Sequence, residues 1–410
     1  MPVAPSTVLL LIAVVIFLGF FGDLLFKRRA VPETVSLVFL GLMVKALGLI
    51  PQGALNFLVP IFSQLTLAMI LFDLGMHLDL KNLFGEGASA VARSALYMFL
   101  SILSIYILFH IVLGEGVYQS LILGSIIGGE TTMTVVPYVT KRLSGAKDEL
   151  VTNLTLESAF NSIVLIILFF VFLNNYVASV PLNTSGIAVM LSTFFAQLST
   201  GVVAGAIAGV AWIRFARMMH LADYLYIATI GYVLAVYALV NDVGGSGILA
   251  VLVLGAVFLN FGKIVQGYVL PSGIGGYIST FQDEISFFLR TFFFVFLGLE
   301  LSLASFVHIG TWMLAGTVTL ILVGARFLST YGVNHKKDKS SKKIIFFMIA
   351  QGLTPAVLST TLLTYNVSGS GQIVLIATLV IVLTNLITAV GSYTLAKSIP
   401  HPVGDASKAG

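Results

Sequence analysis

Thirteen stretches of this 410-residue chain are long and apolar enough to cross a bilayer, and they limit the possible fold more than any motif does. A helix needs about 17–25 predominantly apolar residues to span the ~30 Å hydrocarbon core. The stretches run over residues 6–26, 35–50, 55–78, 90–113, 117–139, 151–176, 186–213, 223–241, 245–262, 282–302, 305–330, 343–364 and 371–396. Charged residues make up 9% of the chain, where a soluble domain carries about a quarter. Backbone polar groups in hydrocarbon must be satisfied within the segment. The expected fold class is therefore an all-α polytopic membrane protein.

Lysine and arginine sort the connecting loops. Lys27, Arg28, Arg29, Lys81, Arg93, Lys141, Arg142, Lys147, Arg214, Arg217, Lys263, the run from Lys336 to Lys343, Lys397 and Lys408 all fall on one side of a thirteen-span chain. Intervening loops such as 51–54, 114–116, 174–186 and 365–371 contain no lysine or arginine. The other three basic residues, Lys45, Arg290 and Arg326, lie within spans. The positive-inside rule then predicts an outside N-terminus and a cytoplasmic C-terminus in the cell membrane. With the basic residues acting as topology markers, a pI of about 9.1 gives no reason to expect nucleic acid as a partner. The first stretch is too long, and too poor in N-terminal charge, for a cleavable signal peptide. The absence of cysteine excludes disulfides, thiolate metal sites and cysteine catalysis. Neither a histidine ligand pair nor a phosphate-binding loop is present, so no enzyme activity, cofactor or resident metal is expected.

An odd span count with a long seventh member predicts two six-helix repeats, 1–176 and 223–397, joined by a linker helix in 177–222 and followed by a short cytoplasmic tail, 398–410. The fifth span carries Gly128, Gly129, Glu130 and three threonines within seven residues, all poor helix formers apart from the glutamate. Its counterpart in the second half, the twelfth span, carries Gly352, Thr354 and Pro355, and proline lacks the backbone donor a helix needs. Paired interruptions in matching spans point to a transporter of inverted repeats, with crossing broken helices and a site between them.

Two acids lie deep in this pattern. A carboxylate at bilayer depth costs about 2.5–3.5 kcal/mol or more, so it is seldom idle. Glu130 sits in the first interruption. Glu157 is four residues before Asn161 on the sixth span, with Ser158 and Ser162 equally spaced, so both pairs occupy adjoining parts of one helix face. These are oxygen donors suited to a hard monovalent cation. The alternative is a polar cluster that joins helices. Asp73, near the cytoplasmic end of the third span, reads either as an entrance acid or as a solvated helix end. Arg326 either snorkels to the headgroups or pairs with a buried acid. Arg290 either pairs locally with Asp283 or Glu284, snorkels, or takes part in transport.

At these residues the chain resembles the monovalent cation:proton antiporter superfamily, in particular the thirteen-span sodium/proton exchangers. The likeness rests on Leu71-Phe72-Asp73-Leu74-Gly75-Met76, Gly244-Gly245-Ser246-Gly247-Ile248-Leu249-Ala250, Phe294-Val295-Phe296-Leu297-Gly298-Leu299-Glu300 and Gly352-Leu353-Thr354-Pro355-Ala356. The resemblance implies that Glu157 pairs structurally with Arg326 and with Asn161. It also implies a homodimer in which a core domain moves against a dimerisation domain.

Two departures from the family pattern stand out. Threonine takes the place of the aspartate at the first break, and Ser162 stands where the transporting aspartate follows the asparagine. Glu130 is the expected replacement carrier: if Arg326 neutralises Glu157, Glu130 is the deep acid left to bind either a proton or a cation. Thr131, Thr132, Ser158, Asn161 and Ser162 are the expected neutral ligands, and Asp73 the entrance. The expected function is exchange of a monovalent cation, sodium before potassium or lithium, for protons by alternating access. A proton-coupled carrier of another solute and a transport-inactive sensor or assembly protein of the same fold are the alternatives.

Overall fold

The computed structural model describes residues 9–10, 12–17, 19–21, 33–48, 52–77, 88–132, 148–181, 183–219, 225–264, 274–333, 339–365 and 367–398. No strand occurs among the described residues, and the fold is all-α. The helices are α1 (Glu33–Ala46), α2 (Gln52–His77), α3 (Ala88–Tyr106), α4 (Val117–Ile127), α5 (Asp148–Val177), α6 (Thr184–Met219) and α7 (Leu225–Asp242). They continue with α8 (Gly247–Ile264), α9 (Ile274–Glu300), α10 (Leu303–Val307), α11 (Ile309–Val333), α12 (Lys339–Phe347), α13 (Leu353–Thr364) and α14 (Ser370–Ser398). Six described helices are long and apolar enough to cross a membrane by themselves, while α4 and α13 belong to a shorter apolar set. The stretch expected over 90–113 ends in a wider π-type turn, Ile107–Val112. That expected over 305–330 divides into α10 and α11.

Small residues set the helix contacts. A Cβ at Gly41 of α1 would lie 2.0 Å from the carbonyl oxygen of Val295 on α9, and one at Gly298 would lie 2.1 Å from that of Val38. Gly75 and Gly255 join α2 to α8 in the same way, and Gly205 and Gly209 seat α6 on α8. Such close backbone approach is how helices associate in lipid, where burial of apolar surface offers little drive. Along α6, Phe195, Val203 and Ile207 remain exposed, an apolar face suited to hydrocarbon.

Two short helices occupy the centre. Every residue of α4 from Ile122 to Ile127 is buried, as is every residue of α13 from Thr354 to Leu362. Helices apolar all round belong in an interior. Helix α4 stops at Ile127, and Gly129 then takes φ +100°, a left-handed conformation that a side chain would resist. The continuation of the fifth span beyond Thr132 lies outside the described residues.

The second interruption falls earlier than Pro355 implies. Helix α12 ends at Phe347, residues 348–352 have no regular secondary structure, and α13 begins at Leu353. Pro355 therefore sits in the first turn of the new helix, where its missing N–H is no loss. Neighbouring side chains hold the opened backbone instead. The amide of Gln351 donates to Thr384 Oγ1 at 3.3 Å, Asn385 Nδ2 donates to the Gln351 carbonyl at 2.7 Å, and Thr388 Oγ1 donates to that of Phe347 at 2.8 Å. On the first break, Asn161 Nδ2 donates to the Gly129 carbonyl at 2.9 Å, and Ser158 Oγ donates to that of Thr131. Helices α5 and α14 thus brace the two breaks in the same manner, one in each half.

Candidate ion site at the crossing of the two broken helices

The breaks meet each other directly. The amide of Thr132 donates to the Ala350 carbonyl at 2.9 Å, and Gln351 Nε2 donates to that of Ile127 at 2.6 Å. The amide of Gly352, at the N-terminus of α13, donates to Glu130 Oε2 at 2.9 Å. A helix N-terminus favours negative charge, through its free amides and the macrodipole together. Thr354 turns its hydroxyl to the same carboxylate. Glu130 is 2% exposed, and that small surface faces a cavity.

The cavity holds about 460 Å³ and lies among α2, α5, α9, α13 and the first break. Its polar lining comprises Asp73, Glu130, Thr132, Ser158, Ser162, Ser286, Arg290 and Thr354. Leu67, Leu71, Ile166, Phe294 and Val357 complete an apolar wall that lowers the local dielectric and strengthens any charge inside. Asp73 Oδ2 accepts from Ser286 Oγ at 3.3 Å, so Asp73 belongs to the cavity rather than to a solvated helix end. Gly352 admits this close crossing, since a Cβ there would stand 2.6 Å from Thr132 Oγ1. Gly128 and Gly129 instead fit the break against its own helix and α3, where a Cβ would stand 2.0 Å from the Gly124 carbonyl oxygen and 3.2 Å from the Met98 backbone, respectively.

Thr131 and Asn161 stand behind this lining. Both are buried, and Asn161 Nδ2 reaches the Gly129 carbonyl and, at 3.5 Å, Thr131 Oγ1. The structure thus turns Asn161 toward the break rather than toward Glu157, the partner that family resemblance implies, because the opened backbone at Gly129 offers an unpaired carbonyl one helix away.

Glu157 is wholly buried and gripped from two sides. Arg93 on α3 donates to its Oε2 through Nε at 3.0 Å and Nη2 at 2.8 Å, and Arg326 Nη1 on α11 contacts Oε1. Arg326 also donates Nε to the Ile345 carbonyl at 3.0 Å in the last turn of α12, and its Cζ stands 5.1 Å over the Tyr97 ring. A guanidinium at a helix C-terminus and over an aromatic face gains from both. With both oxygens occupied by guanidinium groups, Glu157 is not among the residues that line the cavity.

Arg93 is therefore no surface topology marker. It is 0% exposed and belongs to the ion-paired centre, so it leaves the cytoplasmic set of basic residues. The signal lay in its helix: Arg93, Ser94, Tyr97 and Ser101 follow helical spacing and form a buried polar face on an otherwise apolar segment. Thr384, Asn385 and Thr388 gave no such signal, because their role is to bind backbone of another segment. Arg290 lines the cavity, and Glu284, one of its two expected partners, is exposed. The side chain of Asp283 lies outside the described residues.

Two interruptions that meet at a buried acid, each braced by a neighbouring polar helix, are the arrangement characteristic of secondary transporters built of inverted repeats. The transmembrane sodium/hydrogen exchanger family matches residues 10–395. The chain belongs to that family, within the monovalent cation:proton antiporter superfamily, whose members are multi-pass membrane transporters rather than enzymes. It is 23% identical over 319 residues to the low-affinity Na(+)/H(+) antiporter NhaS1 of Synechocystis sp., and 21% identical over 319 residues to the Na(+)/H(+) antiporter ApNhaP of Aphanothece halophytica. Each match covers 77% of this chain, and the chain spans 58% of the length of these curated relatives. The fold is that of the sodium proton antiporter MjNhaP1 from Methanocaldococcus jannaschii solved at pH 8, with a TM-score of 0.81 at 19% identity over 95% of this chain and 99% of that one. An electron-microscopy structure of MjNhaP1 gives 0.77 at the same identity, covering 97% and 98% of the respective chains.

Proposed function

We propose that this protein exchanges a monovalent cation, sodium foremost with potassium and lithium as alternatives, for protons across the cell membrane, with Glu130 as the carrier acid. One observation carries the reading: of the two deep acids, Glu157 is held by two arginines, while Glu130 faces a cavity at the crossing of the breaks. A carboxylate that binds either a proton or a cation, but not both, couples the two fluxes when the empty charged site does not cross. Thr132, Ser158 and Ser162 line the cavity beside Glu130 and supply neutral oxygens. Thr131 and Asn161 hold the first break in shape, and Asp73 draws cations into the cavity. Glu157 with Arg93 and Arg326 serves as a fixed strut between α3, α5 and α11.

Exchange proceeds by alternating access, with a core domain that holds the site moving against a dimerisation domain, in a chain of two repeats (1–176 and 223–397) joined by the linker in 177–222. The thirteen-span arrangement, the outside N-terminus, the cytoplasmic C-terminus and the homodimer belong to the same proposal. The sodium/proton activity named for NhaS1 and ApNhaP supports it.

Proteoliposomes with an internal pH dye test the reading. Under an imposed proton gradient, added sodium should dissipate the gradient through wild-type protein and leave it standing in Glu130→Gln. Full exchange by Glu130→Gln across the pH range would sink the assignment of the carrier.

A further inference from the structure

Among the described residues, three charged side chains line the cavity: Asp73 from α2, Glu130 from the first break and Arg290 from α9. Ser286 and Arg290 are one helical turn apart and face the cavity together, with Ser286 hydrogen bonded to Asp73. Arg290 is half-buried and, among the described residues, has no hydrogen-bond or ion-pair partner. An arginine keeps its charge at any working pH. Charges that line one cavity away from bulk salt are screened less than exposed ones.

We infer that Arg290 is a resident counter-charge that sets how strongly the cavity takes up a cation. With Asp73 and Glu130 ionised, Arg290 offsets part of the negative charge that these two acids place on the cavity wall. Its field opposes an entering cation, and it also limits the charge that one loading event can satisfy. The cavity therefore binds cations more weakly than its two acids alone would, and it releases them faster. This assignment rests on the proposed cation site but concerns a different residue and a different quantity, affinity rather than competence.

The test measures cation binding apart from transport. Purified wild-type, Arg290→Gln, Arg290→Met and Arg290→Lys proteins in detergent are titrated with sodium, potassium or lithium chloride, reading the rise in melting temperature against choline chloride at equal ionic strength. A ligand at free concentration L that binds the folded state alone raises its stability by RT ln(1 + L/Kd), so a fit of the rise against concentration gives Kd, the half-saturating concentration. The expected result is a half-saturating concentration about tenfold lower in Arg290→Gln, with Arg290→Lys within about twofold of wild type. Arg290→Met retains the aliphatic stem and gives the same answer if the glutamine variant folds poorly. Unchanged half-saturation in both neutral variants overturns the role of Arg290 while leaving the cation site intact. No cation response from wild-type protein overturns the cation site itself, and this inference with it.

Discussion

The amide of Gly352 donates to Oε2 of Glu130 at 2.9 Å across 222 residues of sequence, so the helix that opens after one break caps the acid of the other. The site is thereby a product of both halves of the chain. Moving one broken helix against the other changes the hydrogen bonding, and so the charge preference, of the acid between them.

Gly352→Ala should disturb this contact selectively. Its Cβ would press on Thr132 Oγ1 and Cβ at 2.6 and 2.7 Å. Overpacking of this kind costs about 1–3 kcal/mol. A lower melting temperature together with a weaker apparent cation affinity is the expected pair of changes. A variant with wild-type melting and wild-type half-saturation would show that the crossing tolerates a methyl group.

The Arg93–Glu157–Arg326 cluster should behave as a unit. Removing one member of a buried ion pair costs about 3–5 kcal/mol, because it leaves uncompensated charge. Glu157→Gln strands two arginines and should be the most damaging change, visible as loss of folded protein on size-exclusion chromatography. Arg93→Met leaves Glu157 its contact with Arg326 and should cost less. A double-mutant cycle between positions 93 and 157 should show strong coupling, and additivity there would contradict the geometry.

Asp73→Asn should act on loading rather than on turnover. The carboxylate lines the cavity but does not contact Glu130 among the described hydrogen bonds. Its loss removes an attraction of about 2 kcal/mol at most for charges roughly 8 Å apart. The half-saturating cation concentration should rise several-fold, with maximal rate near wild type. A collapse of the maximal rate would instead make Asp73 a carrier in its own right.

Ser162→Asp should change the charge carried. Ser162 lines the same cavity as Glu130 and Ser158. A second free acid there binds a further proton or cation per cycle, so exchange should become sensitive to membrane potential set by valinomycin and potassium. Exchange that stays indifferent to potential, with expression intact, would mean the new carboxylate is silenced by a neighbour.

Much of the architecture was legible from composition and pattern. Apolar runs with few charges require helices, since no other open structure satisfies its backbone in hydrocarbon. The glycines before Glu130 marked a place where a helix gives way, and the acid beside them stood out because a carboxylate at bilayer depth is costly. Pro355 marked the right segment for a less direct reason: it begins α13, and the opening before it is held by Thr384, Asn385 and Thr388 from α14. Nothing local in Phe347 to Gly352 announces those partners.

Helical spans and the presence of two deep acids thus follow from the sequence alone, through the cost of exposing backbone and charge to lipid. The tertiary structure decided which acid is available. Arg326 meets Glu157 across 169 residues and Arg93 meets it across 64, contacts that no spacing rule encodes. The same packing brought Asp73 and Arg290 to the cavity of Glu130 and turned Asn161 toward Gly129. Charges act over distances in space, and only the folded chain sets those distances.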